Sequence, residues 1–133
     1  MKFAFKILYW VQRLPFEIIQ SLGVFIGWLS YYFARRRRHV GMVNLSKCYP
    51  HWSEKQRATL LKEHFRQMGI LLMEYGLYWY SDPDRIKKLV RYQDKHHLDD
   101  ALAAGEKVIL LYPHFTAFEL AVYALNQDVP LIS

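Results

Sequence analysis

The chain has 133 residues, enough for one modest domain and too few for two. Its formal net charge is +6, and the whole excess lies in residues 1–38, which hold seven basic side chains against Glu17 alone; the rest carries 11 of each sign. A nucleic-acid binder needs a basic face on its folded domain, so that class is set aside, and the lone Cys48 excludes an internal disulfide.

Ile18 to Ala34 is the most apolar stretch, with Gln20, Ser21 and Ser30 as its polar members. It stands at the short limit for crossing a bilayer, which takes roughly 17–25 residues. Trp28, Tyr31, Tyr32 and Phe33 crowd its C-terminal end, where an aromatic belt would lie, and Arg35, Arg36, Arg37 and Arg38 follow at once. No small-residue cleavage site follows, as a secretory leader would require. The pattern predicts a membrane anchor over residues 1–38, with the arginines on the cytoplasmic side in contact with anionic lipid. A helix lying in the interface or partly inserted, and a purely soluble helix, are the alternatives.

Residues 39–133 predict a second region, with a helical lead-in over 39–89 and an α/β part over 90–133. His39 to Pro50 reads as a connection. Ser53 with Gln56 forms a Ser-x-x-Gln capping box and starts a helix. Leu60, Leu61, Phe65, Met68, Leu71, Leu72 and Tyr75 recur on one face of it at steps of three and four. The aromatic cluster Tyr75, Tyr78, Trp79 and Tyr80 at its end reads as core packing. Ser81-Asp82-Pro83 ends that helix and opens another, to Leu89. Val90 to Tyr92 reads as a brief strand, Lys95 to Ala104 as a helix closed by Gly105, and Lys107 to Tyr112 as a buried strand. A helix follows over Phe115 to Leu125. Asp128 to Ser133 resembles the start of a further strand, so the pattern predicts the N-terminal part of a longer protein. The fold class expected is therefore α/β: a membrane helix and helical lead-in, then the start of a sheet covered by helices.

The candidate site is His114 with Glu119, at the strand-to-helix junction where α/β proteins place reactive groups. Five positions along a continuous helix is about 500° of rotation, leaving the two side chains about 140° apart. They can meet only if His114 lies in the loop and Glu119 in the first turns of the helix, an arrangement that Pro113 favours. A carboxylate on one ring nitrogen fixes the tautomer and raises the basicity of the other, giving a general base. His96 and His97 beside Asp99 and Asp100 lack metal-ligand spacing and read as a solvated helix face. No glycine-rich phosphate loop and no Gly-x-Ser-x-Gly elbow is present.

On these residues the chain resembles the late acyltransferases of lipid A biosynthesis. The resemblance is carried by the apolar N-terminal helix and arginine cluster, by Val43-Asn44-Leu45 leading to Cys48-Tyr49-Pro50, and by a long helix with Glu74 and Trp79. The Val108–Tyr112 run before His114-x4-Glu119 completes it. It implies a bacterial inner-membrane enzyme with its catalytic part facing the cytoplasm and an acyltransferase-type α/β sandwich. Such an enzyme moves an acyl chain from acyl carrier protein to a hydroxyl of a lipid A precursor. His114 would act as general base and Glu119 would orient it, with the thioester as co-substrate and no metal or cofactor required. A glycerophospholipid or glycolipid acceptor, and a non-catalytic membrane-anchored fragment, are the alternatives.

Overall fold

A computed structural model describes residues 2–113 and 118–129. Among these, every regular element is a helix: α1 (Lys2–Val11), α2 (Phe16–Phe33), α3 (Arg35–Cys48), α4 (Glu54–Tyr80), α5 (Pro83–Leu89), α6 (His96–Ala103) and α7 (Phe118–Asp128). They group into two compact units, Met1–Ser81 and Asp82–Ser133.

The first unit is organised on α4. Its start is the capping box: the Gln56 N–H donates to Ser53 Oγ at 3.3 Å, and the Ser53 N–H donates to Gln56 Oε1 at 2.8 Å. The 27 residues of α4 form its longest axis, and α2 lies against it as the main packing partner. What brings the two together is the absence of side chains. A methyl group on Gly23 would stand 2.5 Å from the Ile70 Cα, and one on Gly69 would stand 2.7 Å from the Gly27 Cα. One on Gly27 would stand 2.8 Å from the Arg66 Cα. Backbone therefore touches backbone, the geometry that small residues four apart permit. As numbering rises from Gly23 to Gly27, the facing residues fall from Ile70 to Phe65, so the helices run antiparallel. Ile19 and Leu77 complete this seam, both fully buried.

Helix α1 repeats the device near the C-terminal end of α4. A methyl on Gly76 would lie 2.9 Å from the Leu8 carbonyl oxygen, and Ser81 Oγ donates to the buried Gln12 side chain at 2.8 Å. Phe5 meets Trp79, and Tyr9 meets Tyr80 edge-on at 5.6 Å. Trp79 and Tyr80 of the aromatic cluster thus contact α1 but both stay exposed, short of the core packing the sequence suggests.

Helices α2 and α3 are separated by one residue. Ala34 leaves the helical region at φ −83° and ψ 59°, its N–H still donating to the Ser30 carbonyl at 2.8 Å. Helix α3 then starts on the arginine run and buries none of its residues. The His39 to Pro50 stretch, expected as a connection, is thus mostly helix.

In the second unit α5 and α7 pack together. Asp82 accepts from the Asp84 N–H at 2.8 Å and Pro83 occupies the first turn, as the sequence predicts for α5. Ile86, Leu120, Ala124 and Leu125 are buried. Lys87 Nζ lies 2.8 Å from Asp128 at the end of α7 and holds that carboxyl below its ordinary value. Gly105, at φ 74°, closes α6 in the left-handed conformation foreseen for it.

Two expectations are overturned. The α/β class fails: among the described residues there is no strand, and Val90–Tyr92 and Lys107–Tyr112 lack regular structure. The Lys107–Tyr112 run, expected to be buried, leaves Ile109 88% and Leu111 91% exposed. An apolar run becomes a strand only when another strand takes its backbone hydrogen bonds, and no described strand does so. The membrane-spanning helix also fails: no described helix is long and apolar enough to cross a membrane. At about 1.5 Å per residue, the 18 residues of α2 rise about 27 Å, short of a hydrocarbon core of about 30 Å. Glu17 and Gln20 further dilute its apolar length, and one side of it is spent on α4.

Candidate functional site

Glu119 stands in the first turns of α7, half-buried, with Leu120 beside it in the packed face of that helix. A place in the first turns of this helix is what the sequence argument asks of Glu119. His114 lies outside the described residues, as do Phe115 to Ala117.

The four arginines occupy the first turn of α3. That is the electrostatically unfavourable end, where the helix dipole already presents positive charge. They are not equivalent. Arg38 turns back, its guanidinium donating to the Tyr31 carbonyl at 3.3 Å and lying 5.3 Å from the Tyr31 ring centroid. It fastens the bend between α2 and α3. Arg35, Arg36 and Arg37 are exposed. Beside them α2 presents an aromatic stripe: Phe25 stacks on Trp28, and Trp28 meets Tyr32 with centroids 5.1 Å apart. Phe33, at 78% exposure, ends the stripe next to the arginines. Apolar surface rimmed by cations is thus real here, although the helix that bears it is packed on α4 and does not span.

Glu74 is a buried carboxyl, 5% exposed, on the face of α4 that meets the other helices. Burial pushes its pKa above the ordinary value, and a hydrogen bond with Gln20 of α2 partly opposes this. The sequence holds a signal for it: a lone acid within the apolar run Ile70 to Leu77.

Two clefts flank the α2–α4 seam. One, about 310 Å³, has Trp28, Tyr31 and Tyr32 on one wall and Lys62, Glu63 and Arg66 on the other. Its charges are largely spoken for: Arg66 grips Glu63 at 2.6 Å, holding that carboxyl down to about 2, and the Lys62 ammonium lies 5.5 Å from the Tyr31 ring centroid. The second cleft, about 470 Å³, runs between Ile26 and Leu72 and has Arg37 and His64 in its lining. His64 has no partner that the sequence suggests. Among the described residues, no three histidine, cysteine or acidic side chains gather as a metal site.

Comparison with known proteins gives a consistent picture. The family described as bacterial lipid A biosynthesis acyltransferase matches residues 3–133. The lipid A biosynthesis lauroyltransferase of Escherichia coli K12 is 30% identical over 124 residues, 93% of this chain and 40% of that protein. The palmitoleoyltransferase of the same organism is 29% identical over the same share of each chain. A lipid A biosynthesis acyltransferase of Haemophilus influenzae is 31% identical over 119 residues, 88% of this chain and 38% of that one. The chain therefore spans about two fifths of the length of these relatives. No solved structure matches it.

Proposed function

Because the chain belongs to the bacterial lipid A biosynthesis acyltransferase family, we propose that the protein transfers a fatty acyl chain from an acyl carrier protein thioester to a hydroxyl of a lipid A precursor. The match over residues 3–133 carries this reading, because it includes His114, Glu119 and the segment between them.

The chemistry asked of these residues is modest. His114 takes the proton from the acceptor hydroxyl while that oxygen attacks the thioester carbonyl, and the new ester forms as the carrier's thiolate departs. The imidazolium then returns its proton to the thiolate. Glu119 fixes the imidazole's tautomer and offsets the positive charge it acquires. The role of Glu119 is supported by its place in the first turns of α7, five positions after His114 in the sequence.

Arg35, Arg36 and Arg37 serve the same reading as contacts for anionic lipid headgroups. A negative surface relieves the repulsion of three exposed cations at a helix N-terminus, and the neighbouring stripe of Phe25, Trp28 and Phe33 suits the interface. The protein would thus work against the cytoplasmic surface of the bacterial inner membrane, where precursor and carrier can both reach it.

The test is a chimera in which these 133 residues replace the matched segment of the Escherichia coli lauroyltransferase. It is given acyl carrier protein thioester and lipid A precursor, with product mass as the readout. The expected result is a gain of one acyl chain that falls by at least about 10²-fold in His114→Ala. A fold-competent chimera that acylates a glycerophospholipid and leaves the lipid A precursor untouched would refute the acceptor.

A further inference from the structure

The smaller cleft beside the α2–α4 seam carries a charge pattern that the acyl-transfer reading does not use. One wall is a run of rings on α2: Trp28 meets Tyr32 with centroids 5.1 Å apart, and Tyr32 meets Tyr31 at 5.3 Å. The other wall sets Lys62, Glu63 and Arg66 along α4 in the order cation, anion, cation. The volume of about 310 Å³ stands at the lower end of the roughly 300–1,000 Å³ of small-molecule sites.

The pairing along the charged wall is incomplete. Glu63 Oε1 accepts from Arg66 Nε, Arg66 Nη2 and Gln67 at 2.9, 2.6 and 2.9 Å, whereas Oε2 accepts from Arg66 Nε alone, at 2.8 Å. An ionised carboxylate oxygen has room for a second donor, and Glu63, held down to about 2, stays ionised. Among the described residues Lys62 has no carboxylate partner. Its ammonium stands 5.5 Å from the Tyr31 ring centroid, within cation–π range, and keeps its N–H donors for an anion. A ligand that satisfies both groups carries an anion and a primary ammonium on one short tether. A bare phosphate would leave Glu63 unmatched, and a trimethylammonium has no N–H to give it. Trp28 and Tyr32 also belong to the exposed aromatic stripe that Phe25 and Phe33 continue. A soluble zwitterion would leave that neighbouring apolar surface bare, whereas the glycerol and first methylenes of a lipid would cover it.

We propose that this cleft binds the phosphoethanolamine head group of a membrane phospholipid, its phosphate against Lys62 and its ammonium on Glu63. The assignment rests on the membrane contact of the stripe proposed above, and not on acyl transfer.

The experiment measures co-sedimentation of the 133-residue chain with two electrically neutral vesicles, phosphatidylcholine alone and an equal mixture with phosphatidylethanolamine. Neutrality keeps the attraction of Arg35, Arg36 and Arg37 constant between them. Expected is roughly tenfold tighter binding to the mixture. Lys62→Gln and Glu63→Gln should each bring binding to the mixture down to that of phosphatidylcholine. Both positions are exposed, and circular dichroism checks that the helices persist. Soluble glycerophosphoethanolamine should compete only at millimolar concentration. Equal binding of the native chain to the two vesicles would overturn the assignment while leaving the membrane contact standing. No binding to these or to phosphatidylglycerol vesicles would overturn both. A preference that survives in either folded variant would overturn the assignment by giving the effect to lipid packing. Saturation by glycerophosphoethanolamine at micromolar concentration without vesicles would give the cleft to a free metabolite and equally overturn the proposal.

Discussion

A carboxylate next to an imidazole acts twice in this chemistry, once by orienting the ring and once by stabilising the cation it becomes. Glu119→Gln keeps a hydrogen-bonding group of the same shape in the first turns of α7 and removes only the charge. In the chimera, kcat should fall by about 10²–10⁴ with little change in KM. On the proposed mechanism the acid limb of the pH profile should move to lower pH, because the imidazole would lose a carboxylate that raises its basicity. A KM defect with an unmoved pH limb would mean that Glu119 serves packing alone. Glu74 is the opposite kind of acid. Burial raises its pKa in the folded chain, so the folded state holds its proton more tightly than the unfolded chain does. Stability should therefore fall as pH rises from the ordinary carboxyl value of 4.5 through the raised folded value. Glu74→Gln removes the titration and keeps a partner for Gln20. It should raise the melting midpoint by a few degrees at pH 8 and leave it nearly unchanged at pH 4, measured by thermal denaturation.

At the scale of elements, the glycines decide more than the apolar residues do. Gly69→Ala would press a methyl into the backbone of Gly27, and neither helix can yield without separating from the other. The expected loss is about 3 kcal/mol by chemical denaturation. Gly41→Ala is the contrast: its new methyl meets the Leu61 side chain and no backbone, and alanine favours helix. It should be neutral within about 1 kcal/mol, and equal effects at the two sites would refute the close crossing. The same elements show what was legible. The capping box at Ser53, proline in the first turn of α5 and Gly105 after α6 act through neighbouring residues, so their helices could be placed from the chain alone. Helix α3 could not, because it buries nothing and therefore leaves no apolar period to read. Helix α2 was legible as a helix and misread as a span, since apolarity does not say whether lipid or protein covers it. Gly23 and Gly27, four apart, are the signal that another helix packs closely on one face of it. The Lys107–Tyr112 run shows the same limit for strands, whose partners lie outside any local pattern. The helical position of Glu119 could be read from the chain, whereas the cleft that Arg37 and His64 both line depends on the register of helices distant in sequence.

Over the whole molecule the charge is sorted by sequence: the excess of +6 belongs to residues 1–38, which belong to the unit built on α4. That unit also carries the exposed aromatic stripe of α2, so attraction to a surface has both an electrostatic and an apolar part. The two parts separate experimentally. Arg35→Gln with Arg36→Gln removes two of the three exposed cations and leaves Arg38 to fasten the bend at Tyr31. At about 1 kcal/mol per basic residue near a charged membrane, the double variant should bind phosphatidylglycerol-containing vesicles roughly thirtyfold more weakly than the native chain at low salt. Binding to neutral phosphatidylcholine vesicles should be unchanged, because only the stripe acts there. Raising the salt to 0.5 M should erase most of the difference, since charges a Debye length apart no longer interact. Trp28→Ala should show the converse, a loss on both vesicle types that salt does not restore. If the double arginine variant binds anionic vesicles as well as the native chain in co-sedimentation, the basic run has no lipid-facing role, and its place at the start of α3 is set by the bend alone.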